Sequence, residues 1–267
     1  MKFFRWVVLT ALYVTGSVFN PALQTVVRAQ QTDGDNLGEI TFEELKDKEK
    51  STQYFAVGGG FTGNFLMMDD AALNEKLPAN FKVGSLKSPL FVSGGQGFLT
   101  FFFKNIRFGF NAGMGTQTTD TTVVSGADTI KQQLDYSASF NGVTIDYAIP
   151  VFSGFTILPG VQAGFGSMIF ERYDGKSSDT WSGVVNNTPR TMSRLEISHL
   201  FVQPTVQFEY ALTTFTMIRA NVGYAMTFQG DSWMLNRTTQ LSGSPKELNS
   251  GGLTAGFGVF FGLFRNE

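Results

Sequence analysis

The sequence predicts an all-β fold, an eight-stranded antiparallel up-and-down transmembrane β-barrel with short periplasmic turns and long extracellular loops. Three observations lead to this prediction. The last strand alternates strictly between apolar and small residues, the composition is poor in charge but has no long apolar runs, and the connections between predicted strands alternate between short and long.

The strand near the C-terminus carries the clearest pattern. Between Gly252 and Phe264, every second position is apolar and mostly large, whereas the intervening positions include Gly256, Gly258 and Gly262. Successive side chains of a strand point to opposite faces, so one face is apolar and the other is largely glycine. A soluble strand would normally place charged residues opposite its core face, whereas a narrow barrel needs small residues inside. The pattern therefore predicts that the apolar face contacts lipid.

Composition supports a barrel over a helical bundle. Charged residues make up 16% of the chain, against roughly 25% in soluble domains. The mean hydropathy is close to zero, which does not fit helices that each need about 20 apolar residues to cross a membrane. There is no cysteine, which excludes disulfides, thiolate metal sites and a lipid-anchored N-terminal cysteine. A net charge of −2 gives no indication of nucleic-acid binding.

Eight extended segments account for the chain after residue 51. Three connections between them are tight, and the other four are about 14 to 23 residues long and carry the polar residues missing from the strands. Short turns at one end and long loops at the other are typical of outer-membrane barrels, with the turns and both termini in the periplasm. The predicted strands cover residues 52–67, 90–103, 106–117, 132–149, 154–170, 194–210, 215–228 and 252–264.

Alternation assigns a lipid face and a lumen face to most of these strands. The pattern changes parity once, near Asn141 and Gly142, where the apolar series Tyr136, Ala138 and Phe140 gives way to Val143, Ile145 and Tyr147. A β-bulge there would keep both series on the outward face. A soluble eight-stranded barrel of the lipocalin type is the structural alternative, because alternation alone does not say which face is inside. A water-exposed polar face would carry Lys and Glu, but this one carries Gly, Asn, Gln and Thr. The membrane barrel is therefore favoured.

Four charged residues have inward parity near the predicted turn end. Glu209 and Arg219 flank the third short turn, one diagonal step apart, and Arg107 and Asp146 lie near the same end on adjacent strands. Isolated buried ions cost several kcal/mol, so we expect these residues to form an ion-pair network that closes the lumen. A structural plug is the favoured interpretation, and a gate is the alternative.

The N-terminal region predicts export. Lys2 and Arg5 precede an uncharged stretch, and small residues end at Ala29, so residues 1–29 are predicted to be a cleaved signal peptide. A transmembrane anchor is the alternative. Residues 30–51 are rich in acidic residues and poor in aromatics, which predicts a solvated periplasmic lead-in with a possible short helix. The barrel domain then occupies residues 52–267.

The remaining motifs do not predict a catalytic or binding site. Gly58, Gly60 and Gly63 match G-x-G-x-x-G but lie within a predicted strand, so phosphate binding is not expected. The single histidine, His199, is inward by parity, and the adjacent Ser198 faces the other way, so it lacks a serine partner for catalysis. We expect no catalytic site, cofactor or metal.

Aromatic residues are predicted at the membrane interfaces and in the loops. Trp181 and Trp233 lie in long loops, where they could contact a ligand or form loop cores. Girdles are expected at both interfaces of a membrane barrel. They are predicted to be formed by Phe103, Tyr147, Phe155, Tyr210 and Phe215 at the turn end and by Phe65, Phe170 and Phe228 at the other.

These features resemble the small eight-stranded outer-membrane barrels of OmpA, OmpX and OmpW type. The resemblance covers Thr52 to Phe264 and rests on strand count, connection lengths and the aromatic final strand. It implies a monomeric protein of the Gram-negative outer membrane, with lipid, lipopolysaccharide and the barrel assembly machinery as partners. It also implies a non-enzymatic envelope role with loops available for interaction. A narrow channel for small or apolar solutes is the alternative, and a lipid-modifying enzyme using His199 is a distant one.

Overall fold

The computed structural model describes residues 54–100, 105–125, 128–176, 192–230, 233–243, 245 and 248–266. The predicted signal peptide and acidic lead-in lie outside these residues and stay predictions. The strands are β1 Tyr54–Met68, β2 Leu90–Thr100, β3 Ile106–Ser125, β4 Asp128–Tyr147, β5 Ile149–Phe152, β6 Phe155–Lys176, β7 Met192–Ala211, β8 Thr216–Gln229, β9 Trp233–Leu235, β10 Thr239–Leu241 and β11 Gly252–Asn266. A helix, α1, covers Asp70–Lys76, and a 3-10 turn covers Ala79–Phe81.

The sheet closes on itself. The last strand, β11, pairs with both β1 and β8, and the remaining neighbours follow in chain order through β2, β3, β4, β6 and β7, all antiparallel. The short strand β5 continues the line of β4 and pairs with the first residues of β6. The barrel is therefore closed and eight-stranded, which confirms the predicted fold class.

The two ends of the barrel differ. Tyr54 pairs with Asn266, so both ends of the described barrel lie beside the three short connections. We call this the turn end, and the opposite end the loop end. One predicted loop is wrong: β3 and β4 form a single hairpin in which Ser125 pairs with Asp128, so residues 118–131 are mostly strand. The run from Thr118 to Val124 is rich in β-branched Thr and Val, which favour strands even where their faces are polar.

Side-chain exposure confirms the predicted inversion of the barrel. Along β11, Leu253, Phe257, Val259, Phe261 and Leu263 are exposed on the outside. The intervening Phe260 and Phe264 are buried in the lumen. The predicted outward residues of β3, β7 and β8 are likewise outside, among them Phe110, Leu200 and Tyr224. The apolar exterior is thus a property of the whole wall and not of one strand.

The predicted β-bulge at Asn141 and Gly142 is absent from the described ladders. Asn111 pairs with Gly142 and Ala112 with Asn141, and the register stays continuous on both sides of β4. Tyr136 and Ala138, which the sequence pattern placed outside, are fully buried inside. The parity change has another cause: towards the loop end the lumen becomes apolar and the exterior becomes polar, so the pattern inverts while the backbone stays regular.

The lumen at the loop end is filled by a hydrophobic core, which we call the head cluster. Residues of the barrel wall, including Leu134, Tyr136 and Phe170, pack there against the connection between β1 and β2. That connection folds inward as α1 and the 3-10 turn. Asp69 caps α1 by accepting a hydrogen bond from the Ala72 amide at 3.0 Å, and the connection contributes Leu73, Leu77, Phe81, Val83 and Leu86 to the core.

No helix within the described residues is long and apolar enough to cross a membrane.

Close strand contact at Gly60 leaves no room for a side chain. A Cβ built on Gly60 would lie 2.7 Å from Cα of Phe260 on the neighbouring strand, whereas one on the outward Gly59 would be 3.4 Å from its nearest neighbour. We expect Gly60→Ala to destabilise the barrel by about 1–3 kcal/mol because the strands must move apart. Urea titration of the refolded protein, followed by tryptophan fluorescence, measures the effect. Gly59→Ala is the matched control, and equal midpoints for the two variants would refute the explanation.

Candidate functional site: an ion cluster in the lumen

The four charged residues predicted to share the lumen do meet there. Arg107 on β3 pairs in register with Asp146 on β4, and Glu209 on β7 pairs in register with Arg219 on β8. Glu209 and Arg219 are therefore directly opposite one another and not one diagonal step apart. We call these four residues the ion cluster. The four side chains point inward from four strands, at positions near the turn end, so they lie at one level of the barrel.

The ion cluster is one network and not two separate pairs. Arg107 Nη2 lies 2.9 Å from Asp146 Oδ2, and Arg107 Nη1 also contacts Glu209 Oε1 across the lumen. Arg219 donates from Nε to the same Glu209 oxygen at 2.7 Å. Glu209 thus bridges two guanidinium groups that come from different parts of the wall, which ties β3, β7 and β8 together through the interior.

Three further polar residues complete the network, and none of them was predicted from the sequence. The Tyr54 hydroxyl donates to Glu209 Oε2 at 2.9 Å. Gln207 accepts from Arg107 Nη2 at 2.8 Å and donates to Asp146 Oδ1 at 2.9 Å. Gln96 accepts a hydrogen bond from Arg219 Nη1. The alternation of the strand predicts that the Gln207 side chain points inward, and this was the signal available in the sequence. Alternation does not show which polar lumen residues reach the charged ones.

Aromatic rings pack against the remaining faces of both arginines. The Phe98 ring centroid lies 4.5 Å from Cζ of Arg107 and 4.8 Å from Cζ of Arg219. The Phe260 centroid lies 3.9 Å from Cζ of Arg219. A guanidinium over an aromatic face is stabilised by the ring quadrupole, more strongly where water is excluded. The rings therefore replace part of the hydration that the two arginines lose.

The ion cluster is buried and balanced in charge. Arg107 is 0% exposed and Glu209 2%, and the two arginines balance the two carboxylates. Buried charge is tolerated when it is paired and hydrogen-bonded, which is the situation here. The ion cluster and the apolar residues around it, including Leu158, Met217 and Phe264, occupy the lumen at the turn end. No solvent-accessible nucleophile or base is part of this arrangement.

His199 has a serine partner that was not predicted from the sequence. Its Nε2 lies 3.2 Å from Oγ of Ser250, which precedes β11. A serine nucleophile that is activated by a histidine needs the two side chains at about this distance. Here both residues are almost fully buried, and Nδ1 of His199 has no hydrogen-bond partner among the described residues. The pair therefore lacks both access for a substrate and an acidic group to orient the ring.

Metal-binding side chains do not cluster in the part of the chain that the structure describes, where no group of three or more His, Asp or Glu residues could hold an ion. The G-x-G-x-x-G glycines lie inside β1, without the turn and helix of a phosphate site. The two arginines of the ion cluster are paired with its two carboxylates.

Of the aromatic residues predicted in the loops and girdles, some lie in the core and others on the exterior of the barrel. Trp233 is buried and stacks on Phe170 at 6.2 Å between ring centroids, so it is a core residue. Phe170 itself is fully buried, which makes its assignment to the outer girdle wrong. Trp181 and Phe103 lie outside the described residues. Of the other predicted girdle residues, Phe65, Tyr147, Tyr210, Phe215 and Phe228 are exposed, and Phe155 is half-buried.

Comparison with known proteins gives only distant similarity. No family model matches the chain, and no curated protein does. Among solved structures, the chain is similar to a major outer membrane protein of Thermus thermophilus, with a TM-score of 0.41, 9% identity and coverage of 78% of this chain and 100% of that one. It is also similar to the attachment invasion locus protein Ail of Yersinia pestis, with a TM-score of 0.36, 8% identity and coverage of 80% and 99%. CarO of Acinetobacter baumannii gives a TM-score of 0.33, 10% identity and coverage of 77% and 97%. The barrel fold itself rests on the strand pairings given above.

Proposed function

We propose that the protein is a non-enzymatic, non-conducting β-barrel of the bacterial outer membrane, with an envelope-structural or surface-interaction role at its loop end. The observation that carries the proposal is an apolar outer wall around a lumen that is filled at both ends. The wall favours lipid as its surroundings, and the filled lumen leaves no path for solutes.

The exterior supports a membrane location. The outward apolar residues of β11 run from Leu253 to Leu263, close to the 9–11 or so residues that a tilted strand needs to cross a bilayer. Phe61 on β1 and Phe165 on β6 are 77% and 70% exposed. Surfaces of soluble monomers rarely expose contiguous apolar patches larger than a few hundred Å², whereas a lipid-facing wall requires one.

The loop end supports a role outside the bilayer. The ladder between β2 and β3 ends at Ser93 and Met114, but β3 continues to Ser125 with β4 as its partner. Beyond the apolar wall, the outward face becomes polar: Arg194 lies 2.5 Å from Glu171 and 2.6 Å from Glu196. This extended sheet and the head cluster beneath it form a folded surface that a partner could contact. Lipopolysaccharide around the wall, and the barrel assembly machinery acting on the final strand, are the other partners we propose.

The two alternative functions lack comparable support. A channel needs a continuous path, but the ion cluster fills the lumen at the turn end and the head cluster fills it at the loop end. A lipid-modifying enzyme using His199 needs that residue at a lipid-accessible surface, but it is buried beside Phe140. The closed, non-enzymatic barrel is the interpretation that agrees with both observations.

Two measurements on the purified protein test the proposal. In unboiled samples the membrane-extracted protein should migrate faster on a denaturing gel than after boiling, because the closed barrel resists the detergent. In planar lipid bilayers it should give no stepwise conductance, under conditions in which a general porin does. Recovery of the protein in a detergent-free soluble extract would contradict the membrane location, and reproducible conductance steps would contradict the closed lumen.

A further inference from the structure

The residues just before β11 enter the lumen at the loop end. We call residues 248–251 the mouth segment. Leu248 is buried in the head cluster, and its carbonyl accepts a hydrogen bond from the Gln229 side chain at 2.6 Å. Ser250 is buried as well, and its hydroxyl meets Nε2 of His199 at 3.2 Å. The ladders of β11 begin only at Gly252, so the mouth segment is anchored by side chains and not by strand pairing.

The surroundings of His199 suit a neutral imidazole. Its ring meets the Phe140 ring edge-on, with 5.9 Å between the centroids, and its Nε2 lies over Gly166 of β6. On β8 its neighbour in register is Gln229. Nδ1 has no hydrogen-bond partner among the described residues. A proton on the ring would therefore create a buried charged donor without an acceptor, which is costly.

Charged side chains on the elements packed around His199 are engaged elsewhere. Arg172 and Asp174 of β6 pair with one another, and Asp146, Glu209 and Arg219 belong to the ion cluster. The remaining charged side chains described on β4, β6 and β7 and in the turn between β9 and β10 lie on the outer face: Lys131, Asp135, Glu171, Arg194, Glu196 and Arg237. None of these groups offsets a charge on the ring.

His199 lies at the rim of the apolar wall. The adjacent Ser198 faces outward in register with Ser167, so the exterior at this level is polar and beyond the membrane-spanning part of β7. With no charge to offset it, burial lowers the pKa of His199 to about 4. The imidazole is therefore neutral at neutral pH, and the contact with Ser250 is made by the neutral ring.

We propose that His199 is an acid-sensitive latch, which holds the mouth segment in the lumen while the ring is neutral and releases it when the ring takes up a proton. Release exposes the ring to water, where the pKa of a histidine is about 6.5. Above that pH both forms carry a neutral ring, and the closed form is fully favoured. Between about 6.5 and about 4, only the released form binds the proton. The ratio of released to closed protein should therefore rise about tenfold for each pH unit in this interval.

A pH titration of isotope-labelled, untagged protein in lipid nanodiscs tests the proposal by NMR. The chain contains a single histidine, so its ring signals belong to His199. We expect the ring to titrate with a midpoint clearly below 6.5, and the amide signals of Ser250 and Gly251 to move toward the values of an exposed chain at the same midpoint. The amide signals of β1 should stay unchanged, because the barrel ladders remain paired.

Two variants separate the histidine from other acid effects. His199→Phe keeps an aromatic ring at the site but cannot take up a proton, so the mouth segment should stay closed at pH 4. Glu196→Gln is the matched control, because it removes an ionisable group from the outer face of the same strand. This variant should release the mouth segment at the same pH as the wild type.

Three results would overturn the proposal. One is a ring that titrates near pH 6.5, as an exposed histidine does. Another is a ring that titrates at lower pH while the amide signals of the mouth segment do not move. The third is acid release in His199→Phe at the wild-type pH, which would assign the effect to carboxylates. If His199→Phe does not fold, His199→Gln provides the same comparison with a side chain that stays uncharged.

Discussion

Replacing Glu209 with glutamine is expected to lower the free energy of unfolding by about 3–5 kcal/mol, the usual effect of removing one partner from a buried ion pair. Glu209 bridges Arg107 and Arg219 and accepts the Tyr54 hydroxyl. In the variant, the lumen holds two buried guanidinium groups and one carboxylate, and Arg219 loses the carboxylate with which it pairs. Urea titration in detergent micelles, with the unboiled gel shift as the measure of folded barrel, gives the change in stability.

Two further variants separate buried charge from charge in general. Glu171→Gln removes a partner of Arg194 on the outer face of β6, and ion pairs at a protein surface contribute at most about 1 kcal/mol. The double variant Glu209→Gln with Arg219→Met restores charge balance inside the lumen and should regain part of the lost stability. A Glu209→Gln variant as stable as Glu171→Gln would show that the ion cluster does not stabilise the barrel.

Replacing Phe61 with lysine is expected to destabilise the folded barrel by about 2–4 kcal/mol in lipid, the cost of a lysine near the midplane on the lipid-facing side of a barrel strand. Phe61 lies in the middle of β1 and is 77% exposed. Reversible unfolding in phospholipid vesicles measures the difference. This result depends on lipid outside the wall, because on a soluble barrel a lysine at such a position would be well hydrated.

Val124→Lys is the matched control for the lipid-facing substitution. Val124 is 74% exposed, similar to Phe61, but it lies near the tip of the β3–β4 hairpin beyond the apolar wall. Its replacement should change stability by less than about 0.5 kcal/mol, as is usual for surface positions. Equal and small effects of the two lysines would indicate water on both surfaces and would refute the membrane barrel.

In the lumen at the loop end, the alternation of apolar and polar residues in the sequence is ambiguous. Tyr136 and Phe170 are buried in the lumen, yet both are aromatic, and their predicted position was outside. Alternation reports that two faces differ, but it does not say which face meets lipid at a given height. The answer depends on what fills the lumen, here the connection that carries α1, whose inward fold depends on contacts with strands distant in sequence.

The closed eight-stranded wall, its apolar exterior and the four residues of the ion cluster could be predicted from the chain alone, because each follows from strand period, turn spacing and the cost of burying unpaired charge. Several contacts became visible only in the folded barrel: Glu209 bridges two arginines, Gln207 and Tyr54 join the network, and Ser250 meets His199. Those contacts join residues up to 155 positions apart. Their geometry is set by barrel closure and strand register, and no local stretch of sequence contains that information.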